Sequence, residues 1–131
     1  MIVPDASIVA PALIDAGADG ERARAALAGA DLVAPALLDL EVTSVLRRLV
    51  AAGSLEVVRA GQAMADLVDL PVERVTHEGL VARCWELSHN LTPYDAAYVA
   101  LAEALDGTLV TADARLEAAP GPRCRIDLIE R

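Results

Sequence analysis

The sequence predicts an α/β fold, a three-layer α/β/α sandwich built on a mostly parallel sheet of four to five strands. Three features lead to this prediction. Short apolar segments typical of buried strands recur along the chain, longer helical segments separate them, and acidic residues follow two of the apolar segments. Parallel strands need long crossover connections, which are usually helices that cover both faces of the sheet.

Each predicted element begins or ends at a residue that favours such a boundary. Proline closes strands and stops helices, glycine ends helices, and serine or threonine opens them. In chain order, the predicted elements are a strand at Ile2–Pro4, helices at Ser7–Ile14 and Gly20–Gly29, a strand at Leu32–Ala34, helices at Ala36–Ala52 and Ser54–Leu70, a strand at Val72–Val75, helices at Thr76–Ser88 and Thr92–Asp106, a strand at Leu109–Thr111, a short helical turn and a strand at Ile126–Leu128. Gly53 should end the third helix, and Thr76 should cap the fifth.

The composition predicts one folded domain over residues 1–131. Apolar residues make up 55% of the chain, which argues against intrinsic disorder. Charged residues interrupt every long apolar run, so no segment approaches the ~20 residues of a membrane helix. The first residues, MIVPD, lack the basic region of a signal peptide. We expect a cytoplasmic protein without membrane contacts, in which Cys84 and Cys124 are reduced thiols outside any zinc motif.

Two acidic residues follow predicted strands and are candidates for a functional site. Asp5 follows the first strand, and Asp113 comes shortly after the fourth. The carboxyl ends of parallel strands share one edge of the sheet, where ligands of open α/β sheets bind, so both side chains should lie there. The sequence leaves open a second interpretation of each residue, because aspartate is also common as a helix cap.

Asp95 and Glu41 extend this set of acids. Asp95 lies three residues after Thr92 in a predicted capping box, so it could cap the helix, bind a cation, or do both. Glu41 has Leu38 and Val45 among its helical neighbours, and an unpaired carboxylate in such surroundings costs on the order of several kcal/mol. The alternative for Glu41 is a position at the rim of the apolar stripe, with its carboxylate in water.

Four acids at one edge of a sheet repel one another unless a cation joins them. Ligands that are all carboxylate oxygens favour a hard divalent ion, Mg²⁺ or Mn²⁺, over zinc. Metal ions in such sites activate water and neutralise charge in the reactions of phosphate esters. The sequence therefore predicts a metal site that performs phosphodiester chemistry.

Four segments of the chain form a recognisable pattern. They are DAS at 5–7, APALLDLEVTSVLRR at 34–48, LTPYDAAYVALAE at 91–103 and LVTADARL at 109–116. In this order and spacing they resemble the PIN-domain ribonucleases, and in particular the VapC toxins of bacterial toxin–antitoxin pairs. Each motif is modest alone, but the four together are specific, and the resemblance covers essentially the whole chain. It implies that the fold is PIN-like.

The resemblance also implies roles for individual residues. The metal-binding acids of the family are matched by Asp5, Glu41, Asp95 and Asp113. Its small hydroxyl residues, which would orient these carboxylates through hydrogen bonds, are matched by Ser7 and Thr111.

The implied activity is that of a metal-dependent ribonuclease. Mg²⁺, with Mn²⁺ as a substitute, would activate water for in-line attack on phosphorus and leave 5′-phosphate and 3′-hydroxyl ends. The net charge of −9 argues against a broad basic face for nucleic acid, so a few cations would have to hold the RNA, with Arg47, Arg48 and Arg115 as candidates. The resemblance further implies two protein partners, a cognate antitoxin whose tail covers the active site and a second copy of the chain in a homodimer.

Two other classes of protein share parts of this pattern. A response-regulator receiver needs adjacent acids after its first strand and a lysine near its end, but this chain has only Asp5 there and no lysine. A PIN fold that binds RNA or a protein without cleavage remains the alternative, although all four acids are present.

Overall fold

The computed structural model describes residues 1–130, and a five-stranded sheet forms its centre. In chain order the strands are β1 (Ile2–Pro4), β2 (Leu32–Pro35), β3 (Val72–Val75), β4 (Thr108–Thr111) and β5 (Arg125–Leu128). The helices are α1 (Ala6–Ile14), α2 (Ala18–Leu27), α3 (Leu37–Ala51), α4 (Val57–Asp69), α5 (Val81–Glu86), α6 (Pro93–Ala104) and α7 (Ala114–Ala118). All five predicted strands are present within one residue at each end, and every neighbouring pair is parallel.

The order of the strands in the sheet is β3-β2-β1-β4-β5. From β1 the chain proceeds outward through β2 to β3, and it then returns to build β4 and β5 on the other side of β1. In the register of the sheet, Ile2 pairs with Leu32 on one side and with Thr108 on the other. Ligands of open α/β sheets bind at the carboxyl ends of the strands where the strand order reverses. Here that position is the junction of β1 and β4.

Helices cover both faces of the sheet, which confirms the predicted α/β/α fold. α1, α2, α3 and α4 pack against one another, whereas α5 packs against α6, and α6 lies against β1, β2 and β4. Right-handed crossovers explain this division, because the connections to β2 and β3 and the connection back to β4 run in opposite directions across the sheet. α6 is buried without interruption from Ala96 to Ala102, since its alanines allow it to approach the sheet closely.

α5 differs most from the prediction. It begins at Val81 and not at Thr76, and a turn precedes it in which the Leu80 N–H donates to the His77 carbonyl at 2.8 Å. The His77 Nε2 atom accepts a hydrogen bond from the Leu37 N–H at 3.0 Å, at the beginning of α3. This long-range contact competes with local helix formation. The prediction that Thr76 caps the helix is therefore wrong.

The other helices differ from the prediction mainly at their ends. α2 begins at Ala18, two residues before the predicted start, and α4 begins at Val57 instead of Ser54. Gly53 follows α3 with a φ of 76°, the left-handed conformation in which glycine commonly ends a helix. Across residues 1–130, no helix has both the length and the apolar character that crossing a membrane requires.

Candidate active site

The four predicted acids line one open cavity at the junction of β1 and β4. The cavity has a volume of about 570 Å³. The side chains in its lining that carry charge or form hydrogen bonds are Asp5, Ser7, Asp15, Asp19, Glu41, Arg48, Asp95, Tyr98, Asp113 and Arg115. Two strand ends and the helices α3 and α6 thus bring together carboxylates that are far apart in the sequence.

Asp5 is the most buried of the four acids, with 7% of its surface exposed. It follows β1 and caps α1, and its Oδ1 accepts hydrogen bonds from the Ser7 N–H at 3.0 Å and the Ser7 hydroxyl at 2.5 Å. Its Oδ2 accepts from the Thr111 hydroxyl at 2.5 Å. Burial raises the pKa of Asp5 to about 6, and Asp95 adds to the rise, whereas the hydroxyl bonds lower it. The carboxylate is therefore desolvated and held by neutral donors.

Ser7 and Thr111 each connect Asp5 to the end of β4. The fully buried Thr111 hydroxyl accepts a hydrogen bond from the Asp113 N–H at 3.0 Å. The Ser7 hydroxyl accepts one from the Ala112 N–H at 2.8 Å. Because a backbone donor occupies the other side of each hydroxyl, its own proton is directed to Asp5. The pair thus orients the Asp5 carboxylate between the two strand ends.

Glu41 reaches the cavity from α3 and is held by Tyr98 of α6. The Tyr98 hydroxyl donates to Glu41 Oε1 at 2.5 Å, and only 1% of Tyr98 is exposed. Burial raises the pKa of Glu41, with a contribution from Asp95, while the Tyr98 bond lowers it. Burial and the nearby carboxylates also raise the pKa of Tyr98, so the phenol stays protonated and acts as a donor.

Asp95 lies in the first turn of α6 and faces the other acids. The Thr92 hydroxyl caps this helix by accepting a hydrogen bond from the Asp95 N–H at 3.2 Å. Burial raises the pKa of the Asp95 carboxyl, and Asp113 adds to the rise, whereas Thr92 and Arg115 lower it. Burial and the neighbouring acid therefore outweigh the contacts at the helix end, and the net effect is a raised pKa of Asp95.

Asp113 differs from the other three acids because a cation accompanies it. It caps α7, and its Oδ1 accepts a hydrogen bond from the Arg115 N–H at 2.9 Å. The Arg115 guanidinium binds both oxygens, at 3.3 Å from Oδ1 and 3.1 Å from Oδ2. These bonds lower the pKa of Asp113. Since 90% of the Arg115 side chain is exposed, the ion pair lies on the solvent side of the cavity.

The donor atoms of this site suit a hard divalent cation. The four acids supply only oxygen ligands. Burial and a neighbouring acid raise the pKa of three of them, and a bound cation would lower these pKa values again. Within residues 1–130, no group of three or more His, Cys, Asp or Glu side chains is close enough to hold an ion as it stands. The carboxylates would therefore have to move together on binding, and Asp113 would have to exchange Arg115 for the ion.

Two of the three arginines that are candidates for RNA contacts line the cavity. Arg48 lies about two helical turns beyond Glu41 on α3, and Arg115 lies beside Asp113. Arg47 is exposed on α3 and does not line the cavity.

The sequence patterns did not indicate three further polar residues of the lining. Tyr98 could have been found, because it is three positions after Asp95 on the same helix and residues at that spacing share a face. Asp15 and Asp19 lie at the end of α1 and the beginning of α2. Neither follows a strand, so no pattern pointed to them.

Comparisons with known proteins all point to one family. Residues 2–122 match the PIN domain family. Ribonuclease VapC9 of Mycobacterium tuberculosis is 42% identical to this chain over 131 residues, the full length of both. The solved structure of M. tuberculosis VapC20, described as a sarcin-ricin loop cleaving toxin, has a TM-score of 0.71 and 17% identity, and covers 90% of this chain and 94% of its own.

A second solved structure, VapBC2 from Rickettsia felis bound to a DNA fragment from its promoter, has a TM-score of 0.67. It is 13% identical and covers 97% of this chain and 98% of its own. Both structural similarities concern the fold alone, whereas the family match and the relationship to VapC9 extend to the sequence. The chain therefore belongs to the PIN-domain family and, within it, to the VapC ribonucleases, which are the toxins of toxin–antitoxin pairs.

Proposed function

We propose that this chain acts in the cytoplasm as an endoribonuclease that depends on a divalent metal ion, Mg²⁺ or its substitute Mn²⁺. The proposed ligands are Asp5, Glu41, Asp95 and Asp113. The observation that carries the proposal is the electrostatics of the cavity: it contains four carboxylates, and only Asp113 has a cationic side chain bound to it among residues 1–130. Uncompensated carboxylates at partly buried positions are costly unless a cation joins them.

The residues around the acids would prepare them for this chemistry. When bound, a divalent ion of this kind activates water for attack on phosphorus and neutralises the charge that develops on the phosphate. Ser7 and Thr111 hold the Asp5 carboxylate by their hydroxyls, and Tyr98 holds Glu41. These donors limit the freedom of the ligands, so less motion has to be lost when the ion binds.

Binding of the RNA itself would rely on few cations. Arg48 and Arg115 line the cavity and are the residues best placed to contact phosphates next to the scissile bond. Arg47, exposed on the same helix as Arg48, would reach only RNA outside the cavity.

A nuclease assay tests the proposed function. Total RNA and transfer RNA are incubated with the wild-type protein in Mn²⁺ or in EDTA, and the Asp5→Asn and Asp66→Asn variants are compared in Mn²⁺. Asp66 is the matched control, because it is an exposed acid on α4 outside the cavity, so both variants make the same change in charge. We expect the Asp5→Asn change to lower the cleavage rate by roughly a hundredfold or more, and the Asp66→Asn change to leave it unaltered. Full cleavage in EDTA would overturn the metal dependence.

A cognate antitoxin is the first proposed protein partner. The VapBC2 assembly supports such a partner by relationship, and the acids of the cavity support an arginine in the antitoxin tail, because a guanidinium pairs with carboxylates and competes with a metal ion. Undiminished inhibition by an antitoxin whose tail arginines are all replaced by glutamine would contradict this proposal.

A second copy of the chain is the other proposed partner. Val81 and Trp85 on α5 and Tyr94 at the beginning of α6 are exposed, and Trp85 is 78% exposed. Large apolar side chains grouped on a surface often mark protein interfaces, which supports a homodimer. A monomeric mass by light scattering at high protein concentration would contradict it.

A further inference from the structure

Tyr98 is a neutral side chain that reaches from the hydrophobic core into the group of acids. Its ring lies in the main hydrophobic core, and 1% of the residue is exposed. Its hydroxyl donates a hydrogen bond to Glu41 Oε1 at 2.5 Å. The phenol is therefore held by the packing of α6 against the sheet, and Glu41, which comes from a different helix, is held by the phenol.

This contact makes the two oxygens of Glu41 unequal. Oε1 is occupied by the Tyr98 hydroxyl, whereas Oε2 forms no hydrogen bond within residues 1–130. Because the ring is buried and cannot follow a rotation of the carboxylate, Glu41 can present Oε2 to a cation more readily than both oxygens together. Asp5 is restrained in a similar way, since both of its oxygens accept hydrogen bonds from hydroxyls.

Divalent cations differ in what they require of such a ligand. Ca²⁺ takes roughly six to eight oxygens in a flexible geometry and often uses both oxygens of a carboxylate. Mg²⁺ is smaller, demands a near-octahedral arrangement and binds carboxylates sparingly. A glutamate that is restrained to one oxygen thus disfavours the larger ion.

We propose that Tyr98 determines the ion preference of this site, because its hydroxyl restrains Glu41 and thereby disfavours Ca²⁺ relative to Mg²⁺ and Mn²⁺. The inference rests on the proposed metal site at the four acids. In it Tyr98 is a positioning residue, since it acts through Glu41 and does not itself bind the ion.

The test compares the affinities of the full-length protein for Mn²⁺ and for Ca²⁺ by isothermal titration calorimetry, without RNA. The Tyr98→Phe variant retains the buried ring and removes only the hydroxyl. We expect the ratio of Mn²⁺ to Ca²⁺ affinity to fall by roughly tenfold, the lower end of the effect of losing a hydrogen-bond partner behind a metal ligand. The matched control is Tyr94→Phe, which removes the same atom from an exposed tyrosine of α6 outside the cavity, and it should keep the wild-type ratio.

Other outcomes separate this inference from the proposed function. If Tyr98→Phe binds both ions with the wild-type ratio, Tyr98 does not discriminate between them and the inference is overturned. If the wild-type protein binds neither ion, the proposed metal site fails and the inference fails with it. A measurement on the wild-type protein needs no variant and covers the case in which Tyr98→Phe does not fold. If the wild-type protein binds Ca²⁺ as tightly as Mn²⁺, the site has no ion preference for Tyr98 to determine, and the inference is overturned.

Discussion

Asp5 combines two roles at the scale of a single residue. It begins α1 by accepting hydrogen bonds from Ser7, and it also binds Thr111, which is 106 positions away in the chain. Burial raises the pKa of Asp5 by more than the hydrogen bonds from Ser7 and Thr111 lower it. The pKa is therefore about 6, compared with an ordinary value of 3.8. A side chain kept only to cap a helix would gain from an exposed position. A cation at the proposed metal site would offset the cost of burying Asp5.

The raised pKa of Asp5 predicts how the stability of the metal-free protein depends on pH. The folded state binds a proton more tightly than the unfolded state, so the free energy of unfolding should increase as the pH falls through about 6 and level off below about 4. The pKa values of Glu41 and Asp95 are also raised, so these two residues change the stability in the same direction. The pKa values of Asp113 and Glu103 are lowered, so these two residues reduce the free energy of unfolding as the pH falls. Their effect is confined to pH values near and below their ordinary pKa values of 3.8 and 4.5.

Urea denaturation in EDTA measures this effect. Between pH 7 and pH 5, Asp5 alone should add about 1 kcal/mol to the free energy of unfolding. The Asp5→Asn variant should show a smaller increase over the same range, because the other acids remain. A free energy of unfolding that falls from pH 7 to pH 5 in the wild-type protein would contradict the prediction.

At the scale of elements, the beginnings of three helices deliver three of the acids. Asp5 precedes α1, Asp95 lies in the first turn of α6, and Asp113 precedes α7. Carboxylates are favoured at the positive end of the helix dipole, so local helix energetics and the needs of a cation site agree at these positions. Glu41 lies inside α3, away from the positive end of the helix dipole. Its carboxylate is stabilised instead by the hydrogen bond from the Tyr98 hydroxyl.

The short helix α7 leads to a prediction about metal affinity. It places Arg115 over both oxygens of Asp113, where the guanidinium competes with any incoming ion. Replacement of Arg115 by glutamine should strengthen Mn²⁺ binding by roughly two- to fivefold, the range expected for the loss of an exposed ion pair. Arg48→Gln is the control, since it removes the same charge from the same cavity without a contact to Asp113. Equal affinities of the two variants in calorimetric titration would show that only the overall charge matters.

At the scale of the whole molecule, the net charge of −9 opposes the binding of a polyanion. Non-specific affinity for nucleic acid comes from cations that displace counterions from phosphates, and among residues 1–130 the cationic side chains that line the cavity are Arg48 and Arg115. Productive binding should therefore need the metal ion at the acids, which reverses the local charge, and RNA whose unpaired bases give further contacts.

This balance predicts poor binding of unstructured RNA by the metal-free protein. In EDTA at physiological salt, a labelled single-stranded RNA of random sequence should bind with a dissociation constant no tighter than about 10⁻⁴ M, the weak end of non-specific binding. Fluorescence anisotropy measures it, with a basic RNA-binding protein as the positive control. Micromolar binding under these conditions would mean that a cationic surface outside the cavity holds the RNA.

The sequence by itself determined the class of the fold and the elements that carry the acids. Apolar segments and boundary residues predicted all five strands within one residue at each end. The three central strands β1, β2 and β4 are mostly buried apolar runs, as is typical of strands covered on both faces of a parallel sheet. The general rule that parallel strands share a carboxyl edge then placed Asp5 and Asp113 together. Both conclusions need only the order of elements along the chain.

The tertiary structure alone decided which partner each acid has. Tyr98 and Glu41 are 57 positions apart, and whether they meet depends on how α3 and α6 are rotated against the sheet. The beginning of α5 was decided in the same way, because His77 binds the first N–H of α3 and residues 77–80 stay outside the helix. Such contacts arise from the packing of many residues at once, and no local pattern specifies them.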